Sequence, residues 1–176
     1  MEDKIIIKKM ESDEEILGKA YVHFKAWQET YPGIVDPDFL SEQTLEKCEE
    51  IAYKYLDNIL VAKDNDKVVG FVSYGKYRNS DLEDTGEVPA IYLLSEYQGR
   101  GIGKRMMEEA LKHLEEYKQV ALWVLKENRK AIGFYESCGF HPDGHEETII
   151  FGSPIIEARM IRETENKKDQ LWNIRK

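Results

Sequence analysis

Apolar and polar positions follow two periodicities along the chain, one typical of strands and one typical of helices. Ile5 to Met10 and Gln119 to Leu125 are short apolar runs that predict strands, and the second is continuous enough for burial on both faces. From Ile16 to Trp27 the apolar residues recur at helical spacing, which predicts an amphipathic helix. Ser12 and Glu15 stand before it at the spacing of a capping box.

The rest of the pattern completes an α/β order. The first helix is predicted to end at Tyr31-Pro32-Gly33, and Ser41 is a candidate cap for a second helix. The later predicted elements are strands Ile59–Lys63 and Lys67–Tyr74, strand Glu87–Leu94, a helix after Gly101, strand Gln119–Leu125, helix Asn128–Cys138, and a closing hairpin of Glu147–Phe151 and Ile155–Ile161. This order predicts an α/β domain with a mixed central sheet.

Length and composition narrow the class of protein. A chain of 176 residues with 41% hydrophobic content predicts one domain spanning residues 1–176, with a polar tail over 163–176 that is frayed or helical. The net charge of −9 and the lack of a long basic run argue against nucleic-acid binding. The acidic surface either attracts cationic amines or only maintains solubility. No long apolar segment is present, so we expect no membrane span and a cytoplasmic location.

The cysteines and histidines offer little chemistry of their own. Cys48 and Cys138 are expected to be reduced thiols in a chain that does not need a disulfide. Cys138 precedes the helix-ending Gly139 and has no activating partner pattern, so it is interpreted as a small buried side chain rather than a nucleophile. The four histidines show no ligand spacing with the cysteines, and no metal is expected.

The strongest chemical signal is a glycine-rich segment between a predicted strand and a predicted helix. Gly99, Gly101 and Gly103 let the backbone approach a ligand closely, and the amides of a helix N-terminus favour an anion. Arg100 and Lys104 add positive charge. The expected ligand is a phosphate or a pyrophosphate.

The spacing of the glycines distinguishes among the known phosphate-binding loops. A Walker A loop fails because Gln98 stands at its first glycine and Arg105 at its Ser/Thr position, and the dinucleotide fingerprint fits poorly because its third glycine comes one residue early. The pattern Gln/Arg-x-x-Gly-x-Gly/Ala is filled by Gln98, Gly101 and Gly103. In this context the segment resembles the coenzyme A loop of the GNAT superfamily of N-acetyltransferases.

A second segment strengthens this resemblance. After the strand that ends at Leu125, the family pattern continues with Asn, Ala, Phe-Tyr and Gly-Phe, and the chain fills it in order with Asn128, Ala131, Phe134, Tyr135, Gly139 and Phe140. The two segments span residues 90 to 140. The resemblance implies a GNAT-like α/β (α+β) fold, whose mixed and mostly antiparallel sheet carries helices on both faces.

The resemblance also implies acetyl-CoA as co-substrate and assigns residues to it. The implied cofactor-binding residues are Tyr92, Leu93, Gln98, Gly99, Arg100, Gly101, Ile102, Gly103, Lys104, Asn128 and Tyr135. The backbone N–H of Leu93 is expected to polarise the thioester carbonyl. Tyr135 is expected to be the general acid that protonates the leaving thiolate.

The acceptor side is less patterned. Glu87 is the candidate base for the amine, with a solvent-facing strand-end carboxylate as the alternative interpretation, and Pro89 is expected to bend the strand nearby. Trp27 and Tyr31 resemble the family's acceptor wall; the alternative is a buried aromatic pair that packs the helix on the sheet.

The main functional hypothesis is direct transfer of an acetyl group from acetyl-CoA to a primary amine of a small molecule, within a ternary complex. The alternatives left open are acetylation of proteins or peptides and a non-catalytic acyl-CoA-binding sensor. A homodimer through the C-terminal strands is implied by resemblance alone, and the sequence leaves the oligomeric state open.

Overall fold

The fold is built on one seven-stranded sheet. The computed structural model describes residues 4–165, so most of the predicted tail lies outside the described residues. The strands, in chain order, are β1 (Ile5–Lys9), β2 (Ile59–Asp64), β3 (Lys67–Lys76), β4 (Thr85–Leu93), β5 (Gln119–Leu125), β6 (His141–Phe151) and β7 (Ser153–Glu163). Their order across the sheet is β1-β2-β3-β4-β5-β7-β6. Among the described strands only the β4–β5 pair is parallel, which confirms the predicted mixed and mostly antiparallel sheet.

Five helices connect these strands within the described residues. They are α1 (Asp13–Thr30), α2 (Pro37–Ser41), α3 (Leu45–Lys54), α4 (Ile102–Lys112) and α5 (Arg129–Ser137). Ser12 and Glu15 form the predicted capping box of α1. The predicted cap at Ser41 is wrong: Thr44 caps α3, and Ser41 ends the short helix α2. That helix begins where Asp36 accepts two backbone amides and Pro37 presets the first turn.

The helices cover both faces of the sheet. Phe71 of β3 packs on α1, where Lys19 and His23 approach its ring. Its neighbour Gly70 faces Met106 of α4. Because consecutive residues of a strand point to opposite faces, α1 and α4 lie on opposite sides of the sheet. This arrangement confirms the predicted fold class.

The sheet opens between its two central strands. β4 and β5 pair only over Thr85–Glu87 and Gln119–Ala121, so the residues of β4 from Val88 to Leu93 have no partner on the β5 side. The register between β3 and β4 shifts between Ala90 and Glu87, the stretch that contains Pro89. Proline cannot donate to a ladder, and such an irregularity bends the strand. The opening is therefore built into β4.

The closing hairpin is longer than its apolar pattern predicts. β6 begins at His141 rather than Glu147, because β7 continues to pair with it beyond a register shift near Pro142. The tight turn at Gly152 lies against Asp36, and Phe151 stacks on Phe39 of α2. These contacts bring the tip of the hairpin over the end of α1.

Candidate active site

A cavity of about 830 Å³ occupies the opening between β4 and β5. Its walls come from the end of α1, the open half of β4, the glycine-rich loop, the start of α5 and the β6–β7 hairpin. Of the predicted site residues, Trp27, Tyr31, Tyr92, Leu93, Gln98, Gly99, Gly101, Gly103, Lys104, Asn128 and Tyr135 line this cavity. Arg100, Ile102 and Glu87 are not among its lining residues.

The glycine-rich loop presents an open helix N-terminus to the cavity. Gly99 and Gly101 have φ values of 74° and 77°, in the left-handed region that favours glycine. The first amide of α4 to donate within the helix is that of Arg105, which bonds to the carbonyl of Gly101. The amides of the three preceding residues are therefore free of helical bonds, as expected of a binding site for an anion such as pyrophosphate.

Side chains hold this loop in place rather than fill it. Gln98 donates through Nε2 to the carbonyl of Leu93 (2.9 Å) and accepts from Lys130 Nζ (2.6 Å). The guanidinium of Arg100 lies 5.2 Å from the ring centre of Tyr97. Ile102 is 2% exposed and belongs to the core. Gln98 thus links the loop to β4 and α5, whereas Ile102 offers a ligand only its backbone.

The backbone of Leu93 faces the opening. The next amide, that of Leu94, donates to the carbonyl of Val69 on β3 (3.0 Å). Successive amides of a strand point to opposite edges, so the N–H of Leu93 points away from β3. Its carbonyl on the same edge is the one that receives Gln98. A free N–H at this edge is suited to polarise a carbonyl oxygen.

Helix α5 brings two predicted residues to the cavity. Asn128 caps the helix by accepting the amide of Ala131 (3.2 Å). About two turns later Tyr135 packs beside Phe134 and Phe140. Burial, together with the nearby Tyr92, raises the pKa of Tyr135. Its phenol therefore keeps its proton at neutral pH and is available as a donor.

Aromatic side chains from α1 and β4 form one wall of the cavity. Trp27 Nε1 donates to the hydroxyl of Tyr92 (3.1 Å), and the hydroxyls of Tyr31 and Tyr92 lie 3.2 Å apart. His23 stacks on Tyr92 at 5.6 Å, and its buried Nδ1 has no hydrogen-bond partner among the described residues. Burial lowers the pKa of His23 to about 4, so the ring is neutral. Trp27 and Tyr31 thus fit both interpretations, because these two side chains pack the helix on the sheet and also line the cavity.

Charged groups from two other places in the fold lie in or next to the cavity wall. Glu87 is 1% exposed, so it is not a solvent-facing carboxylate. It accepts the backbone amide of Arg78 (3.2 Å) and the guanidinium Nε (2.8 Å). Arg78 itself lines the cavity together with Glu157 of β7. Burial raises the pKa of the Glu157 carboxyl, and Arg78 opposes this effect.

Sequence reasoning missed Arg78 and Glu157. Arg78 lies in a polar segment without periodicity, and only the fold places it beside β4. Glu157 did carry a signal, because Glu157 and Arg159 stand two positions apart within an apolar strand and so share one face. Charged residues on a strand face that is partly buried indicate a polar site there.

Neither a metal centre nor a membrane helix is found in the described part of the chain. Over residues 4–165 no three His, Cys, Asp or Glu side chains are grouped so that they could hold a metal ion. The helices in the same range are too short or too polar to span a bilayer.

Comparison with known proteins identifies the family. Residues 20–140 match the model of the Acetyltransferase (GNAT) family. The uncharacterized N-acetyltransferase YuaI of Bacillus subtilis is 31% identical over 128 residues, which cover 70% of this chain and 73% of YuaI. The chain therefore belongs to the acetyltransferase (GNAT) family. It is an N-acetyltransferase.

The relatives that are similar to this chain include enzymes with different acceptors. The peptidyl-lysine N-acetyltransferase YjaB of Salmonella typhimurium is 30% identical over 128 residues (70% of this chain, 79% of YjaB). The spermine/spermidine N(1)-acetyltransferase of Bacillus subtilis is 32% identical over 83 residues (44% of this chain, 55% of that enzyme). The family around this chain thus includes enzymes for small molecules and for peptides.

Solved structures share the fold. PH1933 from Pyrococcus horikoshii OT3 aligns with a TM-score of 0.73 at 24% identity, over 92% of this chain and 99% of PH1933. The PaiA N-acetyltransferase of Thermoplasma acidophilum, solved in complex with coenzyme A, aligns with a TM-score of 0.67 at 24% identity, over 91% of this chain and 99% of PaiA.

Proposed function

We propose that this enzyme transfers an acetyl group from acetyl-CoA to a primary amine of a small molecule within a ternary complex. The observation that carries the proposal is the shared cavity. The free amide edge of β4 at Leu93, the open N-terminus of α4 and the phenol of Tyr135 all border it. The complex of PaiA with coenzyme A supports the choice of donor.

The chemistry assigns one task to each group. The loop amides and Lys104 hold the pyrophosphate, and Asn128 lies beside the pantetheine arm. The amine nitrogen attacks the thioester carbonyl carbon while the N–H of Leu93 stabilises the developing oxyanion. The nitrogen gives a proton to a carboxylate of the cavity, the carbon–sulfur bond breaks, and Tyr135 protonates the departing thiolate. The proton held by the carboxylate then returns to the phenolate. The products are the amide and free coenzyme A.

The group that accepts the proton of the amine must be accessible from the cavity. The sequence points to Glu87, but this carboxylate does not line the cavity and is occupied by hydrogen bonds from Arg78. Glu157 lines the cavity, and its raised pKa suits a group that takes up a proton. We therefore assign proton uptake to Glu157 and give Glu87 the task of holding Arg78.

Binding of acetyl-CoA and acetyl transfer are tested together. Millimolar acetyl-CoA should raise the melting temperature, because a ligand that binds only the folded state stabilises it. A panel of small amines, spermidine and lysine peptides should then release free thiol with at least one small amine. Stabilisation without thiol release from any amine would identify an acyl-CoA sensor. Release with lysine peptides alone would identify a peptide acetyltransferase.

A further inference from the structure

Arg78 presents unused hydrogen-bond donors to the cavity. Its Nε and one terminal nitrogen both bind Oε1 of Glu87, at 2.8 Å and 2.7 Å. The other terminal nitrogen has no partner among residues 4–165, and the side chain is 57% exposed. A guanidinium held by a buried carboxylate keeps its direction, and its free edge matches the geometry of a second carboxylate.

Glu157 lies on the same face of the sheet as this guanidinium. Glu87 pairs with Ala121 of β5, and Glu157 pairs with Leu125 of β5. Residues at even separations along a strand share one face, so both carboxylates lie on the side that α1 covers. Arg78 and Glu157 are close enough to alter each other's pKa. Arg78 and Glu157 therefore place a cation and a carboxylate near each other in the wall of the cavity.

Apolar side chains line another part of the same cavity. Leu125 packs with Val35 and Leu40, and partly buried Ile34 and Phe151 join them. Ile34, Leu125 and Phe151 also line the cavity. An apolar group of a bound acceptor would therefore be shielded from water here, at a gain of about 25 cal/mol for each Å² that it buries.

These three features define an acceptor with one amine, one carboxylate and one apolar group. Resting on the acetyl transfer proposed above, we propose that the acceptor is a free α-amino acid with an apolar side chain, whose carboxylate binds Arg78 and whose amino group lies at Glu157.

The charges of Arg78 and Glu157 argue against the other amine classes. A polyamine would bring a second ammonium group close to the guanidinium of Arg78, and like charges there lower affinity. A lysine side chain of a peptide brings no carboxylate, and the free donors of Arg78 would remain unpaired. An amino acid satisfies both groups at once.

The test compares amino acids with their carboxamides, in which a neutral amide replaces the carboxylate. L-leucine, L-methionine and L-phenylalanine are measured against their carboxamides, with spermidine and a lysine peptide as further acceptors. For at least one pair, kcat/KM should be ten-fold or more higher for the free acid. Equal or better use of every amide, or turnover of only spermidine or the peptide, would overturn the proposal.

Variants separate binding of the carboxylate from folding. Arg78→Met with Glu87→Gln removes the guanidinium without leaving a buried charge unpaired. It should raise KM for the preferred amino acid at least ten-fold while KM for its amide stays within two-fold. Arg78→Lys should give a KM for the amino acid that lies between those of the parent enzyme and the double variant. Lys112→Met, an exposed change on α4, should leave both constants unchanged. An equal effect on acid and amide would also overturn the proposal.

Measurements of acetyl-CoA binding and thiol release distinguish a wrong acceptor from a wrong proposed function. If the amino-acid acceptor is wrong and acetyl transfer is right, acetyl-CoA still raises the melting temperature and another amine releases thiol. If acetyl transfer itself is wrong, no acceptor in the panel releases thiol.

Discussion

At the scale of single residues, the cavity shows how burial changes the chemistry of ordinary side chains. Tyr135 and His23 both lie near Tyr92, and burial keeps both of them neutral. For Tyr135 this preserves a proton that can be donated. For His23 it removes a charge from the aromatic wall. The same physical effect thus keeps a phenol protonated in one place and provides an uncharged packing surface in another.

Tyr135→Phe tests the proton donor directly. Loss of general-acid catalysis should lower kcat by about 100-fold, because the thiolate then leaves without a proton. KM for acetyl-CoA should change little, since the ring still packs between Phe134 and Phe140. Steady-state kinetics measure both constants. Tyr53→Phe on the exposed face of α3 is the matched control, and an unchanged kcat for Tyr135→Phe would remove the residue from the mechanism.

Glu15 links stability to pH. Burial alone would raise its pKa, but hydrogen bonds from Lys8, the amide of Glu11 and Lys63 outweigh burial and lower the pKa to about 2. A depressed folded-state pKa stabilises the fold above the unfolded value near 4.5, and this contribution is lost as pH falls toward 2.

Glu15→Gln should therefore cost roughly 2 kcal/mol of unfolding free energy at pH 7. The difference from the parent protein should shrink between pH 4.5 and pH 2 in urea titrations. Glu11→Gln, which changes an exposed carboxylate near the same Lys8, should cost less than about 0.5 kcal/mol. A difference that persists unchanged at pH 2 would contradict the ion-pair explanation.

At the scale of elements, two helix caps separate stability from function. Asn128 caps α5 at the cavity, and Thr44 caps α3 away from it. Asn128→Ala and Thr44→Ala should each lower stability by about 1 kcal/mol, because each leaves a helix amide without its partner. Only Asn128→Ala should also weaken acetyl-CoA binding, by several-fold in calorimetric titration. Equal affinities in the two variants would show that Asn128 is only a cap.

At the scale of the whole molecule, Arg159 connects parts of the chain that are far apart in sequence. On β7 it donates to Asp143 of β6 (2.7 Å) and to Tyr77 (3.2 Å), and it also pairs with Asp81. Tyr77 and Asp81 belong to the loop that carries Arg78. The network therefore fixes the loop, and with it the proposed acceptor site, against the closing hairpin.

Arg159→Met should leave Asp143 without its cation and cost about 2–3 kcal/mol. The melting temperature should fall by about 5–10 °C, and amide hydrogen exchange should accelerate over residues 77–84. Lys126→Met, which breaks the exposed pair with Glu146, should change the melting temperature by less than about 2 °C. Unchanged exchange in residues 77–84 would show that the loop is held by other contacts.

The sequence by itself determined most of the elements and the proposed donor half of the cavity. Periodicity located the strands, and α1, α4 and α5, because burial of one face imposes a repeat that is local in the chain. The glycine-rich loop and the Asn128–Tyr135 helix are local as well, since their spacing alone places amides and a phenol at the start of α4 and along α5. The short helix α2 could not be predicted in this way, because Asp36 and Pro37 specify it without any apolar periodicity.

Only the tertiary structure decided the proposed acceptor half. Arg78, Glu87 and Glu157 lie in a loop and on two strands, and they meet because β4, β5 and β7 are neighbours in the sheet. The opening beside Leu93 likewise depends on where β4 stops pairing with β5. Contacts between residues so distant in the chain leave no periodic trace. The proposed donor site is thus encoded by local spacing, and the proposed acceptor site by long-range packing.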